Sequence, residues 1–166
     1  MHLIEARCTW AFHMLLIVYL GVVLYFLFLY QGGYFSHVNR LEDDVQHFIN
    51  LIPFKTITFY ISHAWEAKGR HNTDRELLLN IFGNILLFFP FGVLVPLVFR
   101  KLQKARHLLA LALGFSFLLE FAQILFNVGN FDIDDIILNT LGALLGVKGL
   151  QTFTGKIPLA RNQLKK

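Results

Sequence analysis

One cysteine in 166 residues, Cys8, leaves the chain without an internal disulfide and without a CxxC pair for metal or redox work. It precedes the first apolar run, which is the wrong place for a lipoprotein cleavage cysteine. There is no GxSxG, no glycine loop able to cradle phosphate and no cysteine nucleophile beside a basic partner, which speaks against covalent catalysis and nucleotide use. The histidines at 37, 47, 63 and 71 fall without HExxH or another metal spacing, so a zinc site has little support. No nucleic-acid-binding motif, internal repeat or low-complexity tract occurs. Charge is scarce as well: 16% of residues are charged against 55% hydrophobic, too apolar for an ordinary soluble domain of this length. The charges that exist are lumped between long uncharged runs, so the formal +4 bears on membrane topology more than on any polyanionic partner.

What is present is a set of four such runs. Residues 9–30 contain no Lys, Arg, Asp or Glu, and at about 1.5 Å per residue they cross a hydrocarbon core of roughly 30 Å. They read as an uncleaved signal anchor, with Tyr30 at the interface and His13 as a packed residue. The spacing predicts further spans at about 77–99, 107–126 and 133–153. Thr73 and Glu76 form a capping box before the second span, and Pro90 and Pro96 are expected to kink it. Between the first two spans lies a polar loop, 31–76. In it Asn39 and Glu42 resemble a capping box, and Leu41, Val45, Phe48, Ile49 and Ile52 recur at helical spacing up to Pro53, predicting a short amphipathic helix on the membrane surface. Residues 54–62, rich in Thr, Ile, Phe and Tyr, suit either a strand or a shallow membrane-dipping piece. The expected fold is therefore all-α: a single polytopic membrane domain over 1–166, a bundle of four transmembrane helices.

Orientation follows from the basic residues. The loop after the second span carries Arg100, Lys101, Lys104 and Arg106 without an acid, and the tail carries Lys148, Lys156, Arg161, Lys165 and Lys166. The turn between spans three and four has three Asp and no base. The positive-inside rule puts both termini in the cytoplasm, N-in and C-in, with the 31–76 loop and the Asp-rich turn outside.

This orientation collects the buried-looking polar residues at the outer end. Asn80 and Asn84 stand four apart on span two. Ser116, Glu120, Gln123 and Asn127 form a stripe on span three, and Asp135, Asn139, Gly142 and Gly146 form another on span four. An ionisable residue at bilayer depth costs roughly 3 kcal/mol. Glu120, about 9 Å below the outer end of its helix, must therefore pair, meet water or stay protonated, which makes it the leading functional candidate and the residue to act as acid or base if there is any catalysis. Each of the others also has a structural reading. Asp132 suits a helix N-cap with Asp134 and Asp135 as partners of the helix dipole. Asn139 with the GxxxG-spaced Gly142 and Gly146 suits interhelical packing, and Asn80 and Asn84 suit the same. The candidate binding set is thus Asn80, Asn84, Glu120, Gln123, Asp132, Asp134, Asp135 and Asn139. Glu120 and the three Asp offer oxygen ligands of the kind Ca²⁺ or Mg²⁺ takes, but acids at a helix start are common without metal, and no cofactor is expected.

The run Asn80-x-x-x-Asn84-Ile-Leu-Leu-Phe-Phe-Pro90-Phe-Gly92, a basic loop, Glu120-x-x-Gln123, and Phe131-Asp-Ile-Asp-Asp135-Ile-Ile-Leu-Asn139-Thr-Leu-Gly142-x-x-x-Gly146 together resemble the VanZ-like family of small bacterial membrane proteins. The piece Asn50-Leu-Ile-Pro53-Phe54 is similar to that family too. The resemblance covers about 50–149. It implies an integral protein of the bacterial cytoplasmic membrane and an association with resistance to glycopeptides of the teicoplanin type, with no established enzymatic mechanism. In one place the chain departs from the pattern: Gly129 and Asn130 stand where members often carry an arginine, leaving Lys55, Arg70 and Arg75 as cations able to replace it.

Together these readings predict an envelope protein whose outward site binds a lipid-linked cell-wall precursor or a lipid-anchored ligand such as a lipoglycopeptide, among membrane lipids and without nucleic acid. The alternatives are a membrane enzyme acting on a lipid-linked precursor through Glu120, or a small proton-coupled transporter using the same residue. Oligomeric state is left open.

Overall fold

The computed structural model describes residues 2–30, 49–66 and 71–153. Helix α1 (His2–Leu24) continues as a π-helical turn, Tyr25–Tyr30. A two-residue strand, β1 (Ile49–Asn50), and helix α2 (Lys55–Glu66) precede the long helix α3 (His71–Val98). A 3₁₀ turn, Arg100–Leu102, leads to α4 (Ala105–Leu125), then β2 (Phe131–Asp132) and α5 (Ile133–Phe153). Among the described residues, four stretches are long and apolar enough to cross a membrane: Trp10–Phe28, Asn80–Val98, Ala105–Leu125 and Ile133–Phe153. They match the four runs in the sequence, and the chain is a multi-pass helical membrane protein.

Two helices that are not neighbours in sequence, α3 and α5, form the centre of the bundle. A side chain placed on Gly142 would strike the backbone of Ile85, one on Gly146 the carbonyl of Phe89, and one on Gly92 the carbonyl of Ala143. The step from Ile85 to Phe89 on α3 is matched by the step from Gly142 to Gly146 on α5, so the two helices run parallel with their backbones in contact. In lipid, where apolar side chains gain nothing by leaving the solvent, such close approach is what dispersion forces need. α4 runs antiparallel to α5 and is joined to α3 by aromatic rings. Phe91 and Phe115 stack at 5.4 Å between centroids, and Phe88 lies 5.9 Å from Phe115.

α1 packs on α3. Tyr19 donates its hydroxyl to the carbonyl of Leu87 at 2.7 Å, a bond from α1 to the backbone of α3. His13 meets Phe99 edge-on at 6.4 Å, consistent with a packed residue. Helix α3 runs through both Pro90 and Pro96.

Three expectations about the 31–76 loop change. Most of the amphipathic helix expected from Asn39 lies outside the described residues, and its last part is a strand, Ile49–Asn50, paired in parallel with Phe131–Asp132. Among the described residues of this loop a helix, α2, occupies the stretch that sequence left between a strand and a membrane-dipping piece. Its Thr and Ile content favours extended structure locally, and contacts from α5, given below, override it. Helix α3 also begins at His71, so Thr73 stands inside it and does not cap it.

The glycine contacts yield a stability test. Gly142→Ala and Gly146→Ala should destabilise the protein by roughly 1–3 kcal/mol each, since a backbone carbonyl cannot rotate away as a side chain does. Gly114→Ala, with open space around it, should be neutral or slightly stabilising. Thermal unfolding in detergent compares the three.

Candidate functional site

At the end of the bundle where α4 stops and α5 starts, the polar residues of three spans meet the loop that precedes α3. Asp134, fully buried in the first turn of α5, accepts the backbone N–H of Phe54 at 2.5 Å, of Thr56 at 2.9 Å and of Ile57 at 3.1 Å. These are amides at the start of α2, so a carboxylate from another helix caps it. Phe54 holds a positive φ of 64°, a strained conformation for an aromatic residue, and the turn it makes aims the amides at Asp134.

Asp132 is equally occupied. Its Oδ1 accepts the N–H of Asp134 at 2.9 Å, the bond of a helix N-cap, and also Asn50 Nδ2 at 3.1 Å. Its Oδ2 accepts the hydroxyl of Thr56 at 2.5 Å. Asn50 Nδ2 bonds Thr56 Oγ1 at 2.9 Å, closing a triangle of Asn50, Thr56 and Asp132. The main-chain N–H of Asp132 in turn donates to Glu120 Oε2 at 3.1 Å. Glu120 is thereby tied to the start of α5 while only 4% of its surface is exposed.

Deeper along α5, Asp135 Oδ1 accepts Asn84 Nδ2 from α3 at 2.6 Å, and Asn139 Nδ2 donates to Ser116 Oγ of α4 at 2.8 Å. The stripe of span four thus meets Asn84 of span two through Asp135 and the stripe of span three through Asn139 and Ser116. Among the described residues, three buried polar atoms have no partner: Asn80 Oδ1, Asn139 Oδ1 and Thr140 Oγ1. Since a buried polar atom is normally hydrogen-bonded, each of these has a hydrogen bond still to make.

Gln123 is buried with Gly129 pressed against its side chain, so close that a Cβ there would lie 3.2 Å from it. Asn127 leaves the polar stripe. At φ 56° it ends α4, with its N–H on Ile124 O and that of Val128 on Gln123 O, the two bonds of a Schellman motif. Among the possible substitutes for the family arginine, Lys55 is exposed at the start of α2, Arg70 lies outside the described residues, and of Arg75 only the backbone is described.

All eight candidate residues thus lie at this end of the bundle, but they divide by chemistry. Asp132 and Asp134 have both carboxylate oxygens taken up by the protein's own donors and hold the loop in place. Asn84, Glu120, Asp135 and Asn139 link helices along one polar seam. The sequence reading gave no role to Asn50, and it missed Thr56 and the α2 amides. The only signal for them was that Asn50 and Phe54 stood in a segment resembling the family. Among the described residues, no three His, Cys, Asp or Glu side chains are arranged to hold a metal ion.

This geometry defines a class: a four-span membrane protein whose polar residues gather at one end of parallel and antiparallel helices, roofed by a short helix that the last span caps. The model of the VanZ/LLP1 family matches residues 16–153, and the chain belongs to that family. It is 40% identical over 68 residues to Protein VanZ of Enterococcus faecium. That match spans 39% of this chain and 40% of the relative's length. No solved structure matches the chain.

The cap on α2 is testable by amide exchange. In Asp134→Ala the N–H groups of Thr56 and Ile57 lose a charged acceptor worth about 1.5–3 kcal/mol, so their hydrogen exchange should accelerate roughly ten- to a hundredfold, while amides in the middle of α4 keep their rates.

Proposed function

We propose that the protein lies in the bacterial cytoplasmic membrane with both termini inside, and that its polar end faces outward and binds a lipid-linked or lipid-anchored envelope ligand, contributing to glycopeptide resistance of the teicoplanin type. The observation that carries this reading is Glu120, a carboxylate almost wholly buried in a membrane span and joined to the Asp132 amide where three spans converge. An ionisable group so placed is costly and is by default functional. With Asp132 and Asp134 occupied in holding the loop, the recognition surface narrows to Asn84, Glu120, Gln123, Asp135 and Asn139, beside the unpartnered acceptors of Asn80 and Thr140.

Membership of the family and the likeness to Protein VanZ support the resistance phenotype. The basic loop at 100–106, at the far end of the bundle from Glu120, supports the orientation.

A deletion strain complemented with wild type or with Glu120→Gln decides the matter. Wild type should restore tolerance to teicoplanin, while the variant, reaching the membrane at the same level, should not. Equal sensitivity of deletion, wild type and variant would remove the resistance reading. Binding retained with turnover lost would favour an enzyme, and loss of pH-driven flux a transporter. Reporter fusions at residue 103 and after residue 153 should both be active only as cytoplasmic reporters; activity outside would invert the topology.

A further inference from the structure

The segment before and along α2 carries an apolar surface that the bundle does not cover. Leu51, Ile52, Phe54, Phe59 and Ile61 are each more than half exposed. On α2 the exposed residues Lys55, Thr58 and Ser62 recur at spacings of three and four and make a polar ridge, with Phe59 and Ile61 on its two flanks. Thr56 and Ile57 are turned partly into the protein, where Thr56 meets Asp132.

The depth of this segment is fixed by its bonds. The amides of Phe54, Thr56 and Ile57 end on Asp134, in the first turn of the span Ile133–Phe153, and Asn50 is in register with Asp132 immediately before it. Residues 50–57 therefore stand level with the boundary of a transmembrane helix. At the same end of the bundle, Phe82 of α3 and Leu125 and Phe126 at the close of α4 are exposed as well, so the spans and α2 both present apolar surface at this level.

From this we propose that residues 51–61 are embedded in the boundary between lipid headgroups and acyl chains, with α2 lying in the membrane plane, its polar ridge toward water and its flanking apolar residues in lipid. An interfacial helix of this kind sinks about 5–10 Å below the headgroups. Water is a poor alternative, since exposed apolar patches of several large residues are uncommon on free surfaces. The bilayer is the occupant already in contact with the adjoining surface. One consequence is that the polar residues below α2 sit at headgroup depth, so a ligand reaches them from within the leaflet. The inference concerns where this segment lies and stands independently of what the site binds.

The test uses the full chain in nanodiscs of phosphatidylcholine and phosphatidylglycerol, with Cys8→Ala and one new cysteine at a time at Leu51, Phe59, Ile61 or Ser62, each labelled with bimane. The probes at 51, 59 and 61 should emit at shorter wavelength than the probe at Ser62. They should be quenched by lipids bearing a nitroxide near the headgroup and shielded from aqueous iodide, whereas the Ser62 probe should show the reverse. Iodide quenching at 51, 59 and 61 equal to that at Ser62 would overturn the proposal in favour of a loop in water. Shielding of those three from both quenchers would overturn it in favour of a protein partner. Variants whose thermal unfolding in detergent departs from that of the Cys8→Ala parent are replaced by cysteine at Ile52 or Phe54, read against the same outcomes.

Discussion

Backbone contact between α3 and α5 is the constraint on which the rest of the structure depends. Gly92, Gly142 and Gly146 let two parallel helices approach until carbonyls occupy the space that side chains would need. Only at that distance do short polar side chains span the gap, and the 2.6 Å bond from Asn84 to Asp135 is a product of it. α4 then closes on α5 from the antiparallel side, with Phe115 filling the space beside Phe88 and Phe91 and Ser116 meeting Asn139. Glycine packing and polar seam belong to one design: helices in lipid associate through shape and hydrogen bonds, and here each makes the other possible.

The acids at the start of α5 show how similar residues diverge when their surroundings differ. Asp132 caps its own helix and holds Asn50 and Thr56. Asp134 caps a different helix. Asp135 looks inward to Asn84, and Glu120 meets the chain at Asp132. Of these four carboxylates, two organise the loop and two lie on the seam between spans, which is why the functional reading rests on Glu120 and its neighbours along α5.

Much of this was legible in the sequence. Runs without charge, each long enough for a bilayer, gave the four spans, because hydropathy over some twenty residues is a local property. The stripes of Asn80 and Asn84, of Glu120 and Gln123, and of Asp135 and Asn139 were legible for the same reason, since spacings of three and four fix a face. The family resemblance rested on those same residues. What was not legible was nonlocal. Residues 54–62 read as either a strand or a membrane-dipping piece, and nothing near residue 54 announces that Asp134 takes up the amides of Phe54, Thr56 and Ile57. The strand Ile49–Asn50 exists only because Phe131–Asp132 lies beside it. Asn127 looked like part of a polar stripe because spacing cannot show where a helix ends in a left-handed residue.

The separation between Asp134 and the helix it caps has a consequence in time. The carboxylate lies 80 residues after Phe54 in the chain. On the ribosome, α2 is therefore made well before its acceptor, and its first amides stay without a protein partner while α3 and α4 are synthesised and inserted. The amides of Phe54, Thr56 and Ile57 meet their acceptor only when the last span arrives. Arrival of α5 is thus the event that completes both the roof and the polar seam, and a chain stalled before residue 134 would contain three spans, every residue of α2 and none of the site's order.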